Sequence, residues 1–116
     1  MFSYQKLEVY KRAFQLNHTV YTLIKANSKI PTYAKNQLGR ASLSIVLNIA
    51  EGCAKFTKKD RRSFFVIARG SVFESAAMID ILHAENEIEV ELKSQLEEML
   101  EEISRMLYAM IRNLEN

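Results

Sequence analysis

Helix-breaking residues are almost absent from this sequence. Its 116 residues include one proline, Pro31, and three isolated glycines, Gly39, Gly52 and Gly70. Because glycine and proline most often end or interrupt helices, a chain with so few of them can form long helices with few corners. No segment of useful length alternates apolar and polar residues as a half-buried strand does. The sequence therefore predicts an all-α fold.

Apolar residues recur at steps of three and four residues in four segments, as they do on the buried face of a helix. The segments cover about 6–26, 32–52, 58–84 and 89–115. Pro31 favours the start of the second helix, Gly52 is a reasonable terminator for it, and Thr57 is a good N-cap for the third. Connections of a few residues make consecutive helices antiparallel neighbours. We therefore expect a single domain, residues 1–116, folded as an antiparallel up-down-up-down four-helix bundle.

The first helix has a wider apolar surface than one small core needs. It carries two adjacent apolar rows, which together span an arc of roughly 200°. The first row is Leu7, Tyr10, Phe14, Tyr21 and Ile24, with Asn17 in its one polar position, and the second row is Val9, Ala13, Leu16, Val20 and Leu23. This surplus, with the nearly all-round apolar character of 106–111, favours burial against another copy of the chain. The alternative is a monomer with apolar residues on its surface.

The cysteine count and the lengths of the apolar runs indicate the cellular compartment of the protein. Cys53 is the only cysteine, so an intrachain disulfide is impossible and a reducing compartment is indicated. No run approaches the roughly 18 apolar residues of a membrane span, and the first residues lack the apolar core of a signal peptide. We therefore expect a cytoplasmic protein that has no membrane partner.

Charge is distributed unevenly along the chain. Residues 1–70 contain 13 Lys and Arg against 3 Asp and Glu, whereas residues 71–116 contain 3 against 11. In an antiparallel bundle we expect this to give basic helices beside an acidic fourth helix, rather than a basic end and an acidic end. The carboxylates of the fourth helix then either pair with Lys11, Arg12 or Lys25 of a neighbouring helix or subunit, or are solvated.

Five cations in eight residues lie around the start of the third helix, and we call this cluster the basic corner. Its members are Lys55, Lys58, Lys59, Arg61 and Arg62. The start of a helix is the positive end of its dipole, so each cation there costs about 0.3–1 kcal/mol unless an anion compensates. Phosphate is a natural candidate, because free backbone amides at the helix start add to the side-chain charge. The alternatives are a cluster that only keeps the loop soluble and one that contacts an acidic protein.

Phe56 lies inside the basic corner. It can stack on a nucleic-acid base, or it can pack on the first turn of the third helix as a hydrophobic staple. No base-reading motif accompanies the cluster, so we expect any nucleic acid to be contacted mainly through its backbone.

Four polar residues lie among the apolar residues of the second and third helices: Asn48, Glu51, Ser71 and Glu74. Asn48 belongs to an inward stripe, and an inward amide must find a hydrogen-bond partner or cost roughly a few kcal/mol. Ser71 and Glu74 share a face, and Gly70 allows a close approach there. We therefore expect a structural polar layer in which Asn48 hydrogen-bonds Ser71 or Glu74 and fixes the register of the two helices.

The sequence offers little for catalysis or metal binding. A metal or acid-base site built on Glu51 and Glu74 is the rival of the polar layer. No Glu-x-x-His pair supports it, because His18 and His83 lie far from both glutamates. Cys53 has no histidine nearby in the sequence to act as its base, and the glycines form no phosphate-binding loop. We therefore expect a protein that is not an enzyme, with no catalytic residues, no metal and no cofactor.

Short motifs along the chain resemble those of a known family. They are SI at 44–45 with NIAEG at 48–52, IARGS at 67–71 with Glu74, and YQKLEVY at 4–10, accompanied by Pro31 and a leucine-rich fourth helix. With these motifs the chain resembles the bacterial four-helix-bundle family of 23S rRNA intervening-sequence proteins over essentially its whole length. It departs from that family at Tyr10, where a tryptophan is common, and at 53–55, where CAK replaces a polar, arginine-containing run.

The resemblance implies a protein that is not an enzyme. The family is similar in shape to the accessory protein of diversity-generating retroelements, a homopentameric four-helix bundle that is thought to bind nucleic acid and a reverse transcriptase. By this similarity we expect a homo-oligomer, with a pentamer favoured, whose partners are RNA or DNA and a reverse transcriptase or another protein. The expected nucleic-acid-binding residues are Lys55, Lys58, Lys59, Arg61, Arg62 and Arg69. The alternative is a scaffold or protein-interaction module whose basic patch meets an acidic protein.

Overall fold

The computed structural model describes residues 1–115, and within them the chain forms a bundle of four α-helices. A 3₁₀ turn at Ser3–Lys6 precedes α1 (Glu8–Ala26), α2 (Thr32–Ala54), α3 (Lys58–Ala84) and α4 (Val90–Asn113). Each helix packs beside the next, and α4 closes the bundle against α1. The bundle is 45 Å long. The predicted all-α four-helix bundle is confirmed.

The helices begin and end close to the predicted residues, with two exceptions. α1 begins at Glu8 rather than near residue 6, because Leu7 has an extended backbone (φ −71°, ψ 132°) and the residues before it form the 3₁₀ turn. α2 continues through Gly52 to Ala54. The prediction that Gly52 ends this helix is therefore wrong.

The glycines of α2 and α3 have roles other than those predicted. Gly52 is buried, and a Cβ atom at this position would lie 2.6 Å from Cε1 of Phe65. The absence of a side chain at Gly52 therefore lets α2 and α3 approach each other. Gly70 faces open space, since a Cβ atom there would have no neighbouring atom within 4 Å. The prediction that Gly70 allows a close approach is wrong.

The core is built from one apolar row of each helix. On α1 it is the second predicted row, whose five residues are all buried. Its small and aliphatic side chains let α1 approach its neighbours more closely than tyrosine rings would. Phe14 and Tyr21 of the first row are instead 57% and 46% exposed, and Leu43 and Leu47 of α2 are exposed as well.

Within residues 1–115, no helix combines the length and the apolar character that a membrane crossing needs.

The two remaining loops meet at the end of the bundle opposite the basic corner. Nδ2 of Asn27, in the α1–α2 loop, donates a hydrogen bond to the backbone carbonyl of Glu87, in the α3–α4 loop (2.9 Å). Asn86 has a left-handed backbone (φ 59°), which asparagine tolerates better than most residues. The bond between Asn27 and Glu87 joins the two loops at the distal end, whereas the α2–α3 connection carries the basic corner.

Candidate nucleic-acid interface

The connection between α2 and α3 places the basic corner at the start of α3. Thr57 has an extended backbone, and its hydroxyl accepts a hydrogen bond from the amide of Asp60 (3.1 Å), which confirms the predicted N-cap. The first intrahelical bond runs from the amide of Arg61 to the carbonyl of Thr57. The amides of Lys58 and Lys59 precede it and have no acceptor within their own helix.

The five cations of the basic corner divide into a paired and an unpaired group. Lys55 lies 3.5 Å from Glu51, and Arg62 lies 3.2 Å from Glu115. Within residues 1–115, no carboxylate lies within 4.0 Å of the charged atoms of the other three cations. These three are Lys58, Lys59 and Arg61. In the described part of the chain, the charge of these three residues is therefore not neutralised by an ion pair.

Arg61 also lies close enough to Cys53 to affect its ionisation. Burial raises the pKa of the Cys53 thiol, and the positive charge of Arg61 opposes that rise only in part. At neutral pH Cys53 is therefore a protonated thiol, which is a poor nucleophile and a poor metal ligand.

Phe56 does not pack on the helix that follows it. Its side chain is fully exposed, so the prediction of a hydrophobic staple is wrong and the ring is free to stack on a ligand. A second aromatic residue at this corner, Phe64, does contact the basic residues. Nζ of Lys55 lies over its ring, 4.9 Å from the ring centroid. This contact and the ion pair with Glu51 together hold Lys55 in place.

Arg69 lies apart from the basic corner, seven residues beyond Arg62 and about 10 Å further along α3. Its Nε donates to the backbone carbonyl of Ser104 on α4 (3.4 Å). Its guanidinium carbon lies 5.0 Å from the ring centroid of Phe73 and 5.4 Å from that of Tyr108. Phe73, four residues after Arg69, was readable from helical spacing, whereas no sequence signal links Arg69 to Tyr108.

The polar residues between α2 and α3 form a layer with different members from those predicted. Nδ2 of Asn48 donates to both the backbone carbonyl (2.8 Å) and the hydroxyl (3.0 Å) of Ser44. The hydroxyls of Ser44 and Ser71 share a hydrogen bond of 2.8 Å, and the hydroxyl of Ser75 donates to the Ser71 carbonyl (2.9 Å). Ser44 therefore bridges Asn48 to α3 in place of the predicted direct bond. The spacing of Ser44 and Asn48, four residues apart, was the signal for this bridge.

Glu51 and Glu74 do not belong to this layer. Both side chains are exposed: Glu51 pairs with Lys55, and Glu74 accepts a hydrogen bond from Nε2 of Gln37. Placing them in a buried layer was wrong, because each has a surface partner of its own and solvent to satisfy the rest of its charge. Within residues 1–115, no three His, Cys, Asp or Glu side chains converge as metal ligands.

Charge changes sign along both α3 and α4. Residues 58–69 of α3 contain five Lys and Arg and one Asp, whereas 70–84 contain two carboxylates and no Lys or Arg. On α4, residues 90–102 contain five Glu and one Lys, whereas 103–113 contain two Arg and no carboxylate. The two helices are antiparallel, so Arg69 meets Ser104 near the middle of both, and Asp80 meets Lys93 (3.7 Å) towards the end of α3. Within this pair of helices, the charge therefore changes from basic to acidic along the bundle, a detail that the prediction of basic helices beside an acidic fourth helix did not include.

One carboxylate of α4 does neutralise a cation of α1 as predicted. Oε2 of Glu102 lies 3.0 Å from Nη1 of Arg12, and Nε of the same arginine lies 3.5 Å from Oε1 of Glu8. All three side chains are about half exposed, so each pair is worth about 0–1 kcal/mol. The contact between α1 and α4 thus neutralises Arg12 and involves no cation of the basic corner.

Comparison with known proteins agrees with this architecture. The model of the 23S rRNA-intervening sequence protein family matches residues 5–109. No curated protein matches the chain. Among solved structures, the chain is similar to a protein of unknown function from the S23 ribosomal protein family of Bacteroides thetaiotaomicron, with a TM-score of 0.85 and 21% identity over 89% of this chain and 97% of that one. That likeness shows the fold alone. Because the family model extends from the 3₁₀ turn into α4, the chain belongs to the 23S rRNA-intervening sequence protein family.

Proposed function

We propose that this protein is a homo-oligomeric bundle without enzymatic activity that binds the phosphate backbone of RNA or DNA through the basic corner. The observation that carries the proposal is the group of three cations at the start of α3 that have no carboxylate partner within residues 1–115. They are Lys58, Lys59 and Arg61. A phosphate placed there gains three positive side chains, two free amides and the positive end of a helix dipole.

The shape of the charged surface favours a polyanion over a small anion. Lys58 and Lys59 are exposed, as are Phe56 and Thr57 before them, and they lie at the start of a helix. Lysines on such a surface bind phosphates as mobile point charges and read no bases. This supports contact with a nucleic-acid backbone, whose successive phosphates bring several weak contacts together.

Self-association is supported by the apolar residues that the bundle leaves outside its core. Phe14 and Tyr21 on α1 and Leu43 and Leu47 on α2 are all exposed. The hydroxyl of Ser42 bonds the side-chain oxygen of Asn17 (3.1 Å), which holds these two helices side by side. Their exposed apolar residues are therefore proposed to form one surface that a second copy covers. Five copies are proposed from the resemblance in shape to the retroelement accessory protein.

The test of nucleic-acid binding is a salt titration with labelled RNA and DNA. Binding through phosphates predicts that log K falls linearly with log salt, by about 0.9 per phosphate contact on duplex DNA. The triple variant Lys58→Gln, Lys59→Gln, Arg61→Gln is expected to bind at least tenfold more weakly and with a shallower slope. A matched control removes three cations from the α1–α2 loop and the first half of α2: Lys29→Gln, Lys35→Gln, Arg40→Gln.

Two outcomes would contradict the proposal. One is the absence of binding to both RNA and DNA at low salt, which would leave the scaffold with an acidic protein partner as the better account. The other is equal weakening by the two triple variants, which would mean that net charge rather than the basic corner determines binding.

The test of self-association is the mass in solution. We expect an oligomer of the 13.4 kDa chain, with five copies favoured, by light scattering after gel filtration. Leu47→Glu places a charge within the proposed contact surface and is expected to dissociate it. Tyr33→Glu, at another highly exposed position of α2, is the control. A wild-type monomer would refute this part of the proposal and leave the binding test unaffected.

A further inference from the structure

A cleft between α3 and α4 contains one arginine among apolar walls. Its volume is about 330 Å³, and it is lined by Val66, Arg69, Gly70, Phe73 and Ile111. The cleft is open at Gly70, where an added Cβ atom would meet nothing within 4 Å. Val66 and Phe73 are 45% and 58% exposed, so two apolar side chains face a ligand without first having to move. The cleft therefore offers flat apolar walls beside a single charged group.

Arg69 is held in a fixed orientation by three contacts. Nε donates to the carbonyl of Ser104, and the guanidinium lies over the rings of Phe73 and Tyr108. The Tyr108 ring is itself held, because its hydroxyl accepts a hydrogen bond from Nη1 of Arg112 (3.0 Å). Within residues 1–115, the two Nη groups of Arg69 have neither a carboxylate partner nor a hydrogen-bond acceptor. Arg69 thus presents an oriented pair of donors, which lose little entropy on binding.

We propose that this cleft binds an unpaired guanine base of the nucleic acid whose backbone lies on the basic corner. The two Nη groups donate to O6 and N7 of guanine, which is the commonest specific contact that arginine makes with a base. Guanine alone presents two neighbouring acceptors on that edge. Adenine presents one acceptor and one donor there, and cytosine presents a donor. The apolar walls formed by Val66 and Phe73 accept the faces of a flat ring.

The inference rests on the proposed function, because the corner supplies the strand to which the base belongs. Arg69 lies about 10 Å along α3 from Arg62, the distance of about three stacked nucleotides at 3.4 Å each. The base must be unstacked, since the apolar walls contact its faces, and neighbouring bases cover those faces in a duplex; in an RNA duplex the O6/N7 edge also lies in a deep groove that side chains cannot enter. A carboxylate would also satisfy the two donors, but it would leave the apolar walls unused.

The test uses wild-type protein and four short uridine oligonucleotides that differ at one central position. The central base is guanine, adenine, inosine or 7-deazaguanine. Guanine and inosine, which both keep O6 and N7, are expected to bind about tenfold more tightly than adenine. 7-Deazaguanine lacks the N7 acceptor and is expected to bind like adenine. Equal affinity for all four would overturn the inference while the phosphate contacts of the proposed function still hold, and no binding to any of them would overturn both.

A variant test locates the preference at this residue. Arg69→Lys keeps the charge but loses the paired donors, so it is expected to bind all four oligonucleotides equally, near the level of the wild type with adenine. Arg105→Lys, one residue beyond Ser104 on exposed surface, is the control and is expected to keep the preference for guanine. A preference that survives Arg69→Lys would overturn the assignment. If Arg69→Lys fails to fold by circular dichroism, the four wild-type affinities decide the matter.

Discussion

Gly52→Ala is expected to destabilise the protein, although alanine is the better helix former. Within a helix, the change from glycine to alanine normally gains about 1 kcal/mol. At Gly52 the new Cβ atom would lie 2.6 Å from Cε1 and 3.0 Å from Cδ1 of Phe65, and 3.2 Å from Cβ of Phe64. The Phe65 ring must therefore shift by nearly 1 Å before the contact reaches an ordinary van der Waals distance.

The magnitude follows from how little room the Phe65 ring has. Its side chain is 1% exposed and is among the largest fully buried side chains of the core. Adding a methyl group to a packed core costs about 1–3 kcal/mol, and three close contacts place this site at the upper end. After the gain in helix propensity, a net loss of about 2 kcal/mol remains. For a chain of this length that corresponds to a fall in Tm of about 8 °C.

The measurement is urea unfolding of the wild type and variants at one protein concentration, because self-association makes stability depend on concentration. Gly70→Ala is the matched control, since this glycine is also inside a helix but its Cβ would meet nothing within 4 Å. It is expected to stabilise the protein by about 0.5–1 kcal/mol. If both variants are stabilised, close packing at Gly52 is refuted. Phe65→Leu should also cost less in the Gly52→Ala background than in the wild type.

The polar layer and the buried thiol give two more expectations. Asn48→Leu is expected to lose about 1 kcal/mol of stability through the bonds to Ser44; a more stable variant with its oligomer and fold intact would show that Asn48 does not set the register. Because the pKa of the Cys53 thiol is raised by burial above its ordinary value of 9.0, its contribution to stability is complete below pH 9.0 and is lost as pH rises further. Unfolding at pH 8 and pH 10 should therefore show a smaller pH dependence for Cys53→Ala than for the wild type, and equal dependence would contradict the assigned burial effect.

The fold was predictable because its main determinants are local. Scarce helix breakers and apolar steps of three and four residues require only neighbours along the chain. The role of Gly52 was not predictable in this way, because it depends on Phe65, thirteen residues later and on another helix. The buried face of α1 was ambiguous for a similar reason. Both apolar rows fit a helix, and only the neighbouring helices decide which one is buried.

In the candidate site, too, contacts between residues close in the sequence were predictable, and contacts between distant residues were not. The pairing of Lys55 with Glu51 follows from a spacing of four residues and is readable from the sequence. The pairing of Arg62 with Glu115 joins residues that are 53 positions apart in the sequence, so no local pattern reveals it. Cations could therefore be counted from the sequence, but the division between neutralised and free cations required the packing of α3 against α4.

The antiparallel packing of α3 and α4 also determines which charges of α4 lie beside the basic corner. Had each helix carried one sign throughout, the acidic α4 would lie beside the basic corner along its whole length and reduce its potential. Instead, the five glutamates of 90–102 occupy the first half of α4, where Glu102 reaches Arg12 of α1, while Arg105 and Arg112 lie on the half of α4 that packs against the first half of α3. In a cyclic oligomer whose subunits share one direction, every basic corner faces the same side and the potentials add.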